Sequence, residues 1–338
     1  MRLLVLGGGG FLGYHVAALA HRAGHTVTVA SRSGRAPLEG VEALTVDRHG
    51  DLSPLDGRTF DAALDTFSDP DAVRAAARRL RDTVGALGYV SGMSVYHPRG
   101  PAVPDERAPV RRPGEARDGD PLQERSLDKL AAEAAVAEEF AGPVSVLRVG
   151  IMVGPRDPSD RFTWWPVRLA RALTGEAPRT VLAPGDPTRA VQYSDARDIA
   201  AFAVDVLARG QAGVFDTVGP GRAQPLATVL EGCLEGVGGR PGDVEWAWAG
   251  EDALRAGLTD VEEEERPLWF PEDQIPQDAI DSSAALAAGL RFRPAAETAR
   301  DVLAWHRERG SPDLAAGFTS TREAELVRRC VSGAAPTG

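Results

Sequence analysis

The chain has 338 residues and a formal net charge of −11, with Lys+Arg 38 against Asp+Glu 49. That length builds a full core in one large or two modest domains, and an acidic surface of scattered charge repels phosphate backbones, which argues against a nucleic-acid partner. Cys233 and Cys330 are the only cysteines; they suggest neither a disulfide framework nor a metal site, so a reducing, cytoplasmic setting is expected, and no window approaches the length of a membrane span.

Leu3–Leu6 is a short apolar run that predicts a buried strand. Four glycines, Gly7 to Gly10, follow it, and then Phe11, Leu12, Val16, Leu19 and Ala20 fall at helical spacing. Gly7, Gly10 and Gly13 are spaced G-x-x-G-x-x-G, while Gly8, Gly10 and Gly13 also satisfy G-x-G-x-x-G. A side chain in that turn would block a pyrophosphate, and the helix start behind it offers N–H groups and a positive dipole end. A glycine motif that follows a strand and opens a helix predicts a dinucleotide site, with Gly7, Gly10, Phe11, Leu12 and Gly13 around the phosphates. The leading apolar run is too short for a secretion signal and is read as structure.

Further strand-like runs fall at Thr26–Ala30, Ala43–Val46, Ala62–Leu64, Leu87–Val90 and Val144–Val149, with helical patterns at Asp71–Val84 and Pro121–Phe140. Such alternation implies parallel pairing through right-handed crossovers. The expected fold class is α/β: a Rossmann doubly wound parallel sheet with a smaller C-terminal mixed α/β region. The second strand runs into Ser31-Arg32-Ser33-Gly34-Arg35. An acidic residue there would favour NAD; two guanidiniums and two hydroxyls suit a 2′-phosphate, so NADP(H) is expected on Ser31, Arg32 and Arg35. An ordinary basic loop is the other reading. Asp47 is placed to reach the adenine amino group, and Thr66 lies where the cofactor backbone should pass. Pro98–Gly119 is a long loop of the lid kind. Asp120-Pro121-Leu122-Gln123 reads as an N-cap, a first-turn proline and a capping-box Gln.

Beyond Gly150, helical patterns appear at Arg161–Leu173, Asp195–Ala208, Leu226–Cys233, Glu251–Ala256 and Ala295–Arg309, with short strands at Val191–Tyr193 and Gly213–Val218. Residues 1–155 read as the cofactor domain, its sheet completed by parts of 190–220. Residues 156–330 read mainly as the substrate-binding region, and 331–338 as a tail. Phe162, Trp164, Trp165 and Trp269, with Met93 and Met152, are candidates for a broad aromatic pocket, although each aromatic also fits as core. Arg161 and Arg189 are candidate cations for a substrate anion.

The run Tyr89-Val90-Ser91-Gly92-Met93-Ser94-Val95-Tyr96, Lys129 in its helix, Leu147-Arg148-Val149-Gly150-Ile151-Met152-Val153-Gly154-Pro155 and the stretch from Arg189 to Ala200 complete a pattern with the glycine motif. Together they resemble the extended or atypical short-chain dehydrogenase/reductases, above all the NAD-dependent epimerase/dehydratase group, to about Arg309. The resemblance implies a nicotinamide cofactor held also by Ser91, Lys129, Gly150 and Met152. It also implies catalysis by a Ser or Thr, a Tyr and a Lys. Here Lys129 stands at the lysine position, but Arg125 replaces the Tyr and Gly92 replaces the Ser/Thr. Ser94 and Tyr96, with Tyr193, are the substitutes, or else Ser94 and Tyr96 merely pack at a strand end. Arg125 either polarises an oxygen or pairs with Asp128.

The missing donors do not remove hydride transfer, which the cofactor carries; a positioned general acid contributes about 10²–10⁴-fold. A resemblance to atypical ketoreductases that also lack the Tyr implies NADPH-dependent reduction of a ketone on a bulky aromatic polyketide of angucyclinone type. The proton would then come from a substrate phenol or water. A sugar-nucleotide epimerase or dehydratase and a non-catalytic NADP sensor are the alternatives. The chain is expected as a monomer, or as a homodimer through the helices Asp71–Val84 and Pro121–Phe140.

Overall fold

The computed structural model describes residues 1–97, 103–114, 123–258, 265–268 and 279–333. The chain divides into two compact units, one of Met1–Met152, Ala196–Arg222 and Ala279–Phe292, the other of Val153–Asp195, Ala223–Asp278 and Arg293–Gly338.

The first unit holds a seven-stranded sheet. Its elements are β1 (Arg2–Leu6), α1 (Phe11–Arg22), β2 (Thr26–Ser31), β3 (Glu42–Thr45), β4 (Phe60–Asp65), α2 (Pro70–Leu80), β5 (Val84–Gly92), α3 (Gln123–Glu139) and β6 (Val144–Val149), with the strand Gly213–Thr217 at one edge. The strand order is Gly213–Thr217, β6, β5, β4, β1, β2, β3, and every pairing is parallel. This is the Rossmann-like α/β architecture expected from the alternation of strands and helices. Leu3, Leu4, Val5 and Leu6 are all fully buried. Both faces of β1 are covered, so its sequence is a continuous apolar run rather than an alternating one. On one face Leu3, Val5 and Val29 pack with Val16 of α1 and with Ile199 and Phe202 of the helix Ala196–Ala208. On the other, Leu4, Leu6, Leu87 and Tyr89 pack with Val73 of α2 and Val136 of α3. The strand order reverses between β1 and β4, and in open parallel sheets ligands bind at the carboxyl edge beside that point.

Local chemistry sets the boundaries. The Asp69 carboxylate accepts from the Ala72 N–H at 2.9 Å, and Pro70 takes the first position of α2. The helix stops at Leu80, so Val84, expected at the end of that helix, opens β5 instead. The helix start expected at Asp120–Leu122 lies outside the described residues. α2 and α3 are joined to each other by Arg74 and Arg78, which donate to Glu138 and Glu139. Residues 103–112, part of the expected lid, are tied to the end of β5. Arg111 donates its N–H to the Val95 carbonyl and its Nε to the Ser94 carbonyl, each at 2.8 Å, and Tyr96 bridges Val110.

The second unit contains the helices Trp164–Thr174, Leu226–Gly236, Ala295–Glu308 and Ser320–Gly333 and a parallel pair of strands, Thr180–Pro184 and Glu245–Ala249. A buried ion pair fastens it: Arg168 Nε donates to Glu323 at 2.7 Å, while Glu323 accepts from the Leu182 N–H at 3.2 Å. Residues 331–333, expected as tail, are helical. Among the described residues no helix is long and apolar enough to cross a membrane.

Candidate dinucleotide and proton-transfer site

The glycine turn closes on itself. The Gly10 N–H donates to the Gly7 carbonyl at 2.9 Å, and Gly10 is the N-cap of α1 with no side-chain cap over it. The first turn of α1, which begins Phe11-Leu12-Gly13, carries no acidic residue. It therefore presents the positive end of its dipole to whatever lies above. Gly7 has φ +95°, and a Cβ there would overlap the Thr66 hydroxyl; a Cβ on Gly13 would overlap the Gly7 carbonyl oxygen. Gly9 has nothing within 4 Å of where a Cβ would be. The turn thus needs glycine at its base for its own packing, while its crown is open.

At the end of β2, Arg32 and Arg35 are exposed, and neither is ion-paired among the described residues. The Ser31 and Ser33 hydroxyls lie 3.2 Å apart, and Ser33 accepts from the Arg35 N–H at 3.4 Å. Asp47 is exposed and accepts from the His49 N–H. Beside it, Arg48 donates bidentately to the buried Asp65 at 2.9 and 2.6 Å. Thr66 donates its hydroxyl to the Leu6 carbonyl, crossing from β4 to β1 beneath the glycine turn.

Lys129 is the only lysine in the sequence, against a Lys+Arg total of 38. It is 6% exposed. Its Nζ donates to the Val90 carbonyl at 3.0 Å and lies 5.7 Å from the Tyr89 ring centroid. Burial pushes the Lys129 ammonium down to about 8, with the Arg125 charge one turn earlier acting in the same direction. Arg125 itself is exposed, and among the described residues it forms no ion pair with Asp128. Gly92 is extended, at φ −151°, and a Cβ on it would stand 3.6 Å from Lys129 Cδ, an ordinary contact. Neither backbone nor packing demands glycine at 92. The Ser91 hydroxyl is buried without a partner among the described residues.

Tyr96 is occupied elsewhere. Its hydroxyl donates to Asp216 at 2.7–2.8 Å and accepts from Arg148 Nη1 at 3.1 Å. Arg148 in turn grips Glu133 of α3 at 3.0 and 2.7 Å, and Glu106 accepts from the Asp216 N–H. Burial pushes the Asp216 carboxyl up to about 7. Burial, then the Asp216 charge, raises Tyr96 well above the usual phenol range. The geometry of Tyr96 therefore favours packing over proton donation to a ligand. Ser94 sits half-buried on the short turn Met93–Val95, where its carbonyl receives Arg111. Met93 packs with Tyr96 and Val218, Met152 packs against the β1–β2 side of the core, and a Cβ on Gly150 would press on Val218 and Met93.

In the second unit Phe162, Trp164 and Trp165 are 1%, 5% and 2% exposed. Trp164 donates its indole N–H to the Phe318 carbonyl and Trp165 to the Pro267 carbonyl. Their faces and their polar atoms are both used by the core of that unit, which corrects the expectation that they wall an open aromatic pocket. Trp269 lies outside the described residues. Arg161 is half-buried and donates to the Arg266 carbonyl at 3.3 Å; Arg189, also half-buried, belongs to the Ala190–Val191 and Gln224–Pro225 ribbon through its own carbonyl.

No family model and no curated protein matches the sequence. Solved structures do match it in fold. The Bordetella bronchiseptica enzyme WbmH in complex with NAD+ aligns over 91% of this chain and 99% of its own, at 16% identity and a TM-score of 0.63. Human epimerase family protein SDR39U1 with NADPH aligns over 90% and 99%, at 17% identity and 0.57. The UDP-N-acetylglucosamine 4-epimerase of Bacillus cereus aligns over 91% and 99%, at 16% identity and 0.60. The chain shares its fold with these epimerase-type proteins.

On that fold the charged pairs Arg48–Asp65 and Glu133–Arg148, and the partnership of Tyr96 with Asp216, escaped the sequence reading. Each links residues on different elements. The one local signal was a carboxylate, Asp216, inside a run otherwise read as a short strand.

Proposed function

We propose that the chain is an NADPH-dependent oxidoreductase that reduces a carbonyl group. The observation that carries this reading is the pair of exposed guanidiniums, Arg32 and Arg35, at the end of β2, where an acidic residue would favour NAD. The uncapped start of α1 and the open crown of the glycine turn suit a pyrophosphate. Gly7, Gly10, Phe11, Leu12 and Gly13 would surround it, Ser31, Arg32 and Arg35 would hold the 2′-phosphate, and Asp47 and Thr66 would meet the adenosine half. Lys129, Ser91, Gly150 and Met152 would border the nicotinamide half. Bound there, the cofactor supplies the hydride; the protein's task is to orient the carbonyl and deliver a proton.

The substrate rests on less. An aromatic polyketide ketone follows from the resemblance alone, because Phe162, Trp164 and Trp165 are committed to a core. A sugar-nucleotide substrate is the second reading, favoured by the UDP-N-acetylglucosamine 4-epimerase among the fold's relatives. The test is NADPH consumption, followed at the nicotinamide absorbance band, with panels of aromatic ketones and of oxidised sugar nucleotides. Turnover of either panel supports the reading. Tight NADPH binding with no turnover on both panels would shift the conclusion to a dinucleotide sensor.

A further inference from the structure

We propose that Lys129 is the proton donor of this site, protonating the carbonyl oxygen in place of the hydroxyls absent at Gly92 and Arg125. The proposal deepens the reductase reading and rests on it. Three observations support it. Lys129 is the only lysine in a chain whose other basic side chains, histidines aside, are arginines, and arginine does not release its proton near neutral pH. Its ammonium has three N–H donors, and one of them goes to the Val90 carbonyl; no described residue accepts from the other two. Of the positions from which the resemblance would draw a hydroxyl donor, Gly92 and Arg125 carry none, and the hydroxyl of the substitute Tyr96 is held between Asp216 and Arg148.

The surroundings tune the group from every side. On α3, Arg125 and Glu133 act on it in opposite senses; from β4, Asp65 acts across the sheet, itself paired with Arg48; from β5, the Tyr89 ring lies against it. Burial is the largest influence, and it favours the neutral amine. An acid poised near the working pH is the most effective donor. With a dihydronicotinamide held there, the carbonyl carbon would receive a hydride with its electron pair from it. Lys129 loses one N–H bond as an O–H bond forms on the carbonyl oxygen, whose π electrons accept the proton. The neutral amine then takes a proton from water, so that the alcohol and the oxidised cofactor are the products.

Because the lysine is unique, it can be observed directly. Incorporating lysine labelled with carbon-13 at Cε yields a single resonance, whose titration in the cofactor-free protein is that of Lys129. The expected midpoint lies near 8, well below the ordinary lysine range. In parallel, Lys129→Arg keeps the charge but not the labile proton. Calorimetry should still show NADPH binding to the variant, while turnover at saturating NADPH falls at least about 100-fold. The wild-type rate should decline as pH rises through the measured lysine midpoint, and the variant should lack that decline. A lysine midpoint above about 10, or an arginine variant with wild-type turnover, overturns the proposal. Absence of NADPH binding in the wild type overturns the reductase reading itself, and the proposal with it. A normal lysine titration in a protein that binds NADPH overturns the proposal alone.

Discussion

The Tyr96 hydroxyl donates a hydrogen bond to the Asp216 carboxylate at 2.7–2.8 Å, joining the end of β5 to the edge strand of the sheet across 120 residues of sequence. Arg148 closes the group from β6 and carries it to Glu133 on α3. If this is a packing device, Tyr96→Phe leaves the Asp216 carboxyl without its donor and should destabilise the fold by about 1–3 kcal/mol. Urea denaturation measures the loss. NADPH affinity should be unchanged, and a tenfold weakening would return Tyr96 to the ligand site.

Asp216 predicts a pH dependence of definite sign. Its folded-state carboxyl is pushed up to about 7 from an ordinary value of 3.8. Between those values the folded chain holds a proton that the unfolded chain has released, so this group's contribution to stability falls as pH rises through the window. Asp216→Asn removes the titration. From pH 5 to pH 8 the wild type should lose stability relative to the variant, by about 2–4 kcal/mol in total for a shift of this size. Parallel stability curves across that range would show that the carboxyl is ionised normally in the fold.

Lys129 works in the other direction. Its folded value is depressed to about 8 from 10.5. Below pH 8 the ammonium is charged in both states, and its burial cost is fully present. From 8 to 10.5 the unfolded chain binds the extra proton and stability rises with pH. Lys129→Met should therefore stabilise the protein most near pH 7, by up to ~3 kcal/mol, with the advantage shrinking above pH 8. Thermal unfolding of both proteins at pH 7 and pH 10 tests it, and a variant less stable than wild type at pH 7 would contradict the prediction.

The glycine turn separates packing from ligand clearance. Gly13→Ala places a methyl on the Gly7 carbonyl and should destabilise the ligand-free protein by about 1–3 kcal/mol. Gly9→Ala meets no neighbour and should leave ligand-free stability unchanged while weakening NADPH binding. Denaturation of both variants, followed by NADPH titration, distinguishes the two effects. Unimpaired binding by Gly9→Ala would mean that the cofactor does not cross the crown of the turn.

What could be read from the residues depended on how local the cause was. β1, the glycine turn and α1 occupy one contiguous stretch, and each apolar or glycine position there has a reason within a few residues. The basic end of β2 was legible for the same reason. The strands Thr180–Pro184 and Glu245–Ala249 were not: each is five residues long and acquires its meaning only by pairing with the other. The tryptophans misled because aromatic clustering is common to pockets and cores; the bonds from Trp164 and Trp165 to distant carbonyls decide for the core. The network around Tyr96 joins five separate segments, and no spacing rule brings Glu106, Glu133, Arg148 and Asp216 together.

Calorimetry with NADPH and NADH asks whether a 2′-phosphorylated nicotinamide cofactor lies over the glycine turn. The wild type should prefer NADPH by at least about tenfold, or 1.4 kcal/mol, and replacing both Arg32 and Arg35 by Ala should abolish the preference while sparing NADH. Equal affinities in the wild type, or no affinity for either, would contradict it.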